Sequence, residues 1–172
     1  MKKIFNILGF QISWWICVLG AANNLEFLGP LIMLLFLIVH LLFFSQKYEI
    51  KLIIFFAFAG TLIDTLIVYT GALGFEGLYH NNKIIAPLWI TAMWCGFSAT
   101  INHSMAWLKN RWVASILLGS ILGPLAYITG EKFGAIYFYT THAKIFIILS
   151  IVWGISIPFI YFVNSKLMGA KK

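Results

Sequence analysis

The sequence predicts an all-α protein: a polytopic transmembrane helix bundle of six spans that forms one integral-membrane domain over residues 1–172. The first observation is composition, because 62% of the residues are hydrophobic and only 10% are charged, whereas a soluble domain carries about 25% charged residues. The second is that six apolar segments each approach the length of about 20 residues that a helix needs to cross a bilayer. The connections between them are too short to fold as soluble domains.

The distribution of charge excludes some partners and predicts others. The net charge is +7, but the basic residues stand singly or in pairs between apolar runs, which indicates membrane topology and no nucleic-acid partner. Cys17 and Cys95 lie within apolar spans, and no CxxC or Cys/His zinc spacing occurs. Membrane lipids are therefore the predicted partners. No cofactor is predicted, and the sequence does not indicate an oligomeric state.

The six spans are predicted over residues 4–22, 28–45, 51–73, 84–107, 112–129 and 144–163. The first of them follows two lysines and ends in Gly20-Ala21-Ala22, a pattern that also fits a cleaved signal peptide. Asn6, Gln11 and the Trp14-Trp15 pair interrupt its apolar core. This interruption favours a retained span over a signal peptide.

The orientation of the bundle is predicted from its lysines and arginines. One side collects nine of them: Lys2, Lys3, Lys47, Lys51, Lys109, Arg111, Lys166, Lys171 and Lys172. The other side holds three, Lys83, Lys132 and Lys144, together with the acids Glu26, Glu76 and Glu131. Because cytoplasmic loops carry the excess of basic residues, both termini are predicted to be cytoplasmic.

The third span presents a face of mostly small residues around one acid. At about 100° per residue this face holds Ala57, Gly60, Thr61, Asp64, Val68 and Gly71, and the opposite face holds Phe55, Leu62, Leu66 and Leu73. An ionisable group inside a span costs at least about 2.5–3.5 kcal/mol unless it is paired or hydrated. Asp64 is therefore the leading functional candidate. The alternative is a hydrogen-bonded carboxyl that holds helices together.

The fourth span is predicted to be one helix with a polar face directed into the bundle. The inward face holds Thr91, Cys95, Ser98, Ala99, Asn102 and Ala106, and the lipid face holds Ile90, Met93, Phe97, Ile101 and Leu108. His103 is placed on the flank between them, near the cytoplasmic surface, where an imidazole costs less than at the midplane.

The fifth span and the segment after it leave alternatives open. Ser115, Gly119 and Gly123 form a small-residue ladder that predicts tight packing, and Pro124 predicts a kink or a break. Residues 130–143 contain Tyr137, Phe138 and Tyr139, which suit an interfacial or re-entrant stretch. The alternative is that these residues extend the fifth or the sixth span.

Depth along the spans groups the polar residues into two predicted clusters. The outer cluster, able to receive a headgroup, a small amphiphile or a proton, holds Asp64, Trp89, Thr91, Trp94, Tyr127 and Trp153. The inner cluster holds Asn6, Gln11, His40, Asn102 and His103. The two clusters are predicted to lie more than about 10 Å apart along the membrane normal, which excludes a direct pair of Asp64 and His103.

No carboxylate or third histidine is expected beside His40 and His103, so no metal is predicted. No GxSxG nucleophile motif occurs either.

The order of four segments resembles a known family. The segments are NILGFQISWWICVLGAANN, GTLIDTLIVYTGALGF, APLWITAMWCGFSATINHSMAWL and LGSILGPLAYITGEKFGAI, and the block from Pro87 to Leu108 is the most specific. Over nearly the whole chain they resemble an uncharacterised family of small bacterial inner-membrane proteins, domain of unknown function 2878. The motif positions that the resemblance marks are Asp64, Pro87, Trp89, Trp94, Asn102, His103, Ser104, Trp107, Gly123, Pro124 and Tyr127. It implies a multi-pass protein of the bacterial inner membrane and, through an association with cyclopropane-fatty-acid-synthase-like enzymes, a link to lipid modification.

Three functions follow as hypotheses, and no catalytic residue is assigned. The first is a membrane protein that binds or moves a lipid-like small molecule, which a cavity reaching Asp64 would favour. The second, less favoured, is a membrane-embedded enzyme or an accessory subunit in acyl-lipid modification, which a titratable partner of His103 in a pocket would favour. The third is a scaffold without a ligand, in which helices satisfy every inward polar group. The candidate residues are Asp64, Asn102, His103, His40, Trp89, Trp94 and Tyr127.

Overall fold

The computed structural model describes residues 2–77 and 85–169. Its α-helices are α1 (Lys2–Ala22), α2 (Leu28–Phe43), α3 (Glu49–Tyr69), α4 (Leu88–Ser98), α5 (Trp112–Lys132) and α6 (His142–Gly169). Two short strands, β1 (Leu73–Phe75) and β2 (Ile136–Phe138), and a 3₁₀ turn at Ala106–Leu108 complete the elements. Lys83, Lys171 and Lys172 lie outside the described residues, as does the first residue of the predicted fourth span.

The six predicted apolar segments each contain a helix, but the helices differ in length. α1, α3, α5 and α6 are long and apolar enough to cross a membrane, whereas α2 has 16 residues and α4 has 11. The hydrophobic surface agrees with a lipid environment, because large apolar side chains on several helices, such as Phe58 and Val113, stay exposed. The prediction of an all-α bundle is thus confirmed, and four of the six predicted spans meet the length for a crossing.

α4 is the central helix of the bundle. It packs against α1, α2 and α3, while α5 pairs mainly with α6. The predicted lipid face of the fourth span is wrong, because Ile90, Ile101 and Leu108 are all buried. α4 packs against three helices, and Ile101 and Leu108 lie beyond its end, so a wheel with one lipid face does not describe this segment.

The prediction of one helix over residues 84–107 is also wrong, because α4 ends at Ser98 and residues 99–105 form turns. The Ser98 and Thr100 hydroxyls donate hydrogen bonds of 2.8 and 2.6 Å to backbone carbonyls three or four residues earlier. Such local bonds compete with the regular helical ladder. Asn102 and His103 therefore lie in a connection of residues 99–111 between α4 and α5, which we call the α4–α5 connection.

Asn6 of α1 satisfies backbone groups that the end of α4 leaves free. Its Nδ2 donates to the Ala99 carbonyl at 3.0 Å, and its Oδ1 accepts from the Ser104 N–H at 3.2 Å and from the Ser104 hydroxyl at 2.6 Å. Non-helical backbone is tolerated within a membrane only where protein satisfies or hydrates it. The buried Asn6 side chain meets this requirement for the break after α4.

The opposite end of the bundle carries a two-stranded antiparallel sheet. Leu73 pairs with Phe138, and Phe75 pairs with Ile136. The Tyr137 hydroxyl donates to the Glu76 carboxylate, and this hydrogen bond raises the pKa of Tyr137. We call this the sheet end, and the end that carries the α4–α5 connection the basic end.

The sheet corrects two predictions. The third helix ends at Tyr69, before the predicted residue 73, and Gly71 follows in the left-handed region at φ 72°, which is common just after a helix. Leu73, predicted to face lipid, is fully buried in β1. Residues 136–138 form a strand, so the alternative of helical extension holds only for residues 130–132 in α5 and 142–143 in α6. The interfacial position of the strand stays a prediction.

The small-residue ladder of α5 packs as predicted. Ser115, Gly119 and Gly123 are buried, and a Cβ built on Gly119 would lie 2.4 Å from the Trp153 carbonyl oxygen of α6. α5 continues through Pro124 without a break. The ladder therefore allows α5 and α6 to approach as a close hairpin.

Candidate functional site

Asp64 is fully buried at the centre of the bundle. The Trp94 Nε1–H donates to its Oδ2 at 2.7 Å, and the Tyr127 hydroxyl donates to its Oδ1. The three residues come from α3, α4 and α5, so the carboxyl joins the α5–α6 hairpin to the other helices. The predicted inward face of the third span is confirmed within α3, since Gly60, Asp64 and Val68 are buried and Leu62 is exposed on the opposite side. It fails at Gly71, which lies beyond the helix and is exposed.

The carboxyl retains capacity for further hydrogen bonds. A carboxylate offers about four lone-pair sites, and the two side-chain donors use one on each oxygen. Within residues 2–77 and 85–169 no basic side chain forms an ion pair with Asp64. A donor or a cation on a bound molecule would therefore find an acceptor already oriented.

Trp94 and Trp153 stack beside Asp64 with ring centroids 4.8 Å apart and planes inclined by 2°. Glycines make room for both rings: a Cβ at Gly60 would lie 2.0 Å from the Trp94 ring, and one at Gly123 would lie 2.2 Å from the Trp153 ring. The Trp153 Nε1 is buried, and its N–H interacts with the Tyr127 hydroxyl, although it forms no hydrogen bond of standard geometry with the described residues.

A cavity of 580 Å³ adjoins these residues. α1 forms one wall through Phe10, Gln11 and Trp14, and α5 forms the facing wall through residues such as Leu122. The lining extends from Ile136 at the sheet end to Met105, Trp107 and Leu108 at the basic end. The volume falls within the range of small-molecule sites, and Asp64 is the only ionisable carboxyl among the lining residues that the structure describes.

The predicted outer cluster is largely brought together. Asp64, Trp94, Tyr127 and Trp89 all line the cavity, and the Trp89 Nε1–H is bonded to the Glu76 carbonyl at 3.0 Å. Thr91 lies close but forms a 2.7 Å hydrogen bond with Thr61. Gln11 was predicted in the inner cluster, but it lines this cavity instead.

At the basic end, His40 and His103 converge on one carboxylate. His40 Nε2 lies 3.4 Å and His103 Nε2 lies 2.9 Å from the same oxygen, Glu49 Oε2. The other oxygen, Oε1, accepts the Gln46 N–H at 3.0 Å. The expectation that no carboxylate lies beside the two histidines is wrong, because Glu49 begins α3 and is buried.

Asn102 forms its side-chain hydrogen bonds with Asn164 and not with Glu49, the shared partner of the two histidines. Its amide exchanges two hydrogen bonds with Asn164 of α6, at 3.1 and 2.7 Å. Nearby, the Tyr161 hydroxyl donates to the Met105 carbonyl at 2.6 Å. These bonds fasten α6 to the α4–α5 connection, so Asn102 serves helix association.

Sequence reasoning missed Glu49 and Asn164. Glu49 stands two residues from Lys47 and Lys51 in a polar stretch, so composition placed it in a hydrated loop. The signal that would have found it is the pairing of a lone acid with two histidines near the ends of neighbouring spans. Asn164 lies beyond the predicted end of the sixth span at residue 163, whereas α6 continues to Gly169.

The fold is that of an all-α bundle with four helices suited to crossing a membrane and two buried polar sites. The chain belongs to the family described as Protein of unknown function (DUF2878), whose model matches residues 3–159. The family resemblance seen in the sequence is thereby confirmed. No curated protein and no solved structure matches the chain.

Proposed function

We propose that the protein resides in the bacterial inner membrane, with its basic end and both termini in the cytoplasm, and binds a lipid-like amphiphile in the Asp64 cavity. The single observation that carries this proposal is a cavity of 580 Å³ with an almost wholly apolar lining and one buried carboxyl. An alkyl chain suits such walls. A polar end that donates hydrogen bonds suits Asp64.

The chemistry of the cavity favours an amine or a hydroxyl over an anionic headgroup. A carboxylate or phosphate brought to Asp64 meets an acceptor in a site of low dielectric, whereas an ammonium meets both an opposite charge and aromatic rings. The elongated lining, from Asp64 towards Met105, then receives the chain. The proposal does not distinguish binding from movement of the amphiphile across the membrane.

Tryptophan fluorescence tests this selectivity, because Trp94 and Trp153 lie at the carboxyl. The purified chain in detergent is titrated with a bromoalkylamine and with a bromoalkanoate of the same chain length. The amine is expected to quench with at least about tenfold higher affinity, equivalent to about 1.4 kcal/mol. Asp64→Asn should remove this preference, and Glu131→Gln, an acid outside the cavity, should retain it.

Two results would contradict the proposal. One is equal quenching of the wild-type protein by both probes. The other is loss of Asp64→Asn protein from the membrane, which would make Asp64 a structural carboxyl. If the amine preference is observed, comparing the lipids of a deletion strain with those of its complemented parent would identify the natural ligand class.

The second candidate is a membrane-embedded enzyme or an accessory subunit in acyl-lipid modification. It is supported by the 2.9 Å approach of His103 to Glu49, the geometry of a base and its orienting group. His103 does not line the Asp64 cavity, so the first candidate is favoured. The scaffold hypothesis is supported by the Asn102–Asn164 pair, but it gives the cavity no role.

A further inference from the structure

The geometry points to a binding site for a divalent transition-metal ion formed by His40, Glu49 and His103, independent of the amphiphile site. Each residue offers one ligand atom, and the three atoms lie within 4.8 Å of one another. Two imidazole nitrogens and one carboxylate oxygen form a donor set used by Zn²⁺ and by other divalent ions of the first transition row.

The distances within the cluster fit a common ion. Ligand atoms that each lie about 2.1 Å from a metal stand about 3.0–3.4 Å apart at octahedral or tetrahedral angles. The two measured nitrogen–oxygen distances, 2.9 and 3.4 Å, match this separation. The two imidazole nitrogens lie within 4.8 Å of each other, so binding an ion requires at most a modest approach of the two rings.

The three ligands are held by separate elements that meet at the basic end. His40 lies in the last turn of α2, Glu49 opens α3, and His103 lies in the α4–α5 connection. The Gln46 N–H bond to Glu49 Oε1 orients the carboxylate with its other oxygen towards the histidines, the role that outer-shell hydrogen bonds play in metal sites.

Helix association alone explains this cluster poorly. His40 has no exposed surface, and among the described parts of the chain its Nδ1 has no hydrogen-bond partner. Leaving a buried polar atom unpaired opposes folding, so an apolar residue would hold the helices better. Both histidines also place their Nε2 atoms next to the same oxygen, Glu49 Oε2, so the three candidate ligand atoms surround one point.

Three protein ligands leave the ion at least one open position. His₂Glu sets with an open position are typical of catalytic zinc, which activates a bound water. The side chain of His103 is 12% exposed, so the cluster lies close to the surface of the basic end. The site therefore has the chemistry to bind an ion and an exchangeable ligand.

Cobalt binding tests the proposal on the full chain. Protein purified in detergent and stripped with a chelator is titrated with Co²⁺, whose visible d–d absorption reports imidazole and carboxylate ligation. One equivalent per chain is expected, displaced by Zn²⁺. His103→Gln and Glu49→Gln should each weaken binding by more than about 100-fold, since even outer-shell losses cost 10–100-fold.

His142 supplies the matched control. Its Nε2 lies 3.5 Å from Glu131 Oε1, and among residues 2–77 and 85–169 this pair belongs to no cluster of three metal-ligating side chains, so His142→Gln should bind Co²⁺ like the wild type. Absence of the absorption bands, or equal loss in His142→Gln, would overturn the site. If the ligand variants fail to fold, X-ray absorption of the wild-type Zn²⁺ complex decides. Two imidazoles per ion support the proposal, and a spectrum without them overturns it.

Discussion

Tyr127→Phe removes one hydroxyl and tests whether the buried Asp64 carboxyl is charged and hydrogen-bonded. Tyr127 and Trp94 are its two side-chain donors, so the variant leaves Asp64 Oδ1 without its bond. A hydrogen bond to a charged group contributes about 1.5–3 kcal/mol, and a neutral one about 0.5–1.5 kcal/mol. Hydrogen bonds in membrane proteins average about 0.6 kcal/mol and reach about 1.7 kcal/mol. We therefore expect a loss at the upper end of that range, about 1.5–1.7 kcal/mol, for a carboxylate.

Tyr161→Phe is the matched comparison, because its hydroxyl donates to a neutral acceptor, the Met105 carbonyl, at 2.6 Å. Its loss should be near 0.6–1 kcal/mol. The free energy of unfolding is measured in bicelles by steric trapping, which reports both variants on one scale. Combining Tyr127→Phe with Asp64→Asn in a double-mutant cycle measures how much of the bond depends on the charge of Asp64, because the Asn oxygen can still accept the Tyr127 hydroxyl. A coupling energy below about 0.5 kcal/mol, or equal losses for the two tyrosines, would refute a charged and hydrogen-bonded Asp64.

Three further changes test other contacts. Gly60→Ala places a methyl group against the rigid Trp94 ring, so we expect about 1–3 kcal/mol of destabilisation and a lower midpoint in thermal unfolding. Asn164→Leu leaves Asn102 unpaired and should destabilise the protein by about 0.6–1.7 kcal/mol, measured by the same steric trapping. A Thr141→Cys variant in a background without the native cysteines should react with an impermeant maleimide added to intact cells.

Each of these predictions has its own control. Gly169→Ala, where a Cβ meets no atom within 4 Å, should leave the thermal midpoint unchanged, and a similar midpoint for Gly60→Ala would contradict the packing argument. Adding Asn102→Leu to Asn164→Leu should recover part of the lost stability. Lys47→Cys should react only after lysis, and the reverse pattern of labelling would invert the proposed orientation.

The fold class could be predicted because the composition and the length of the apolar segments determine whether water or lipid solvates the chain, and both are read directly from the sequence. The environment of Asp64 could be predicted because small residues recur around it at helical spacing over several turns. The same method failed at residues 99–108, where Ser98 and Thr100 bond locally and Asn6, more than 90 positions away, completes the turn. Periodicity contains no information about a partner that distant.

The sheet was missed for a related physical reason. β1 and β2 have three residues each, too few for an alternating pattern, and their pairing depends on α3 and α5 ending at the same height. Glu49 was missed because a charge near a predicted loop looks hydrated until the neighbouring helix ends are placed. Contacts among the ends of the helices are thus the part of this structure that the sequence alone does not predict.

The attachment of the α5–α6 hairpin has a mechanical consequence. The hairpin is fastened at one end by the pairing of β2 with β1 and at the other by the Asn102–Asn164 amides. Because both ends are held, we expect the hairpin not to move away from the other helices as a rigid unit. Under the proposed binding of an amphiphile, we expect the ligand to enter sideways, between the exposed cavity residues Gln11 of α1 and Leu122 of α5. Entry at this position would draw the ligand from the acyl chains of the bilayer rather than from water.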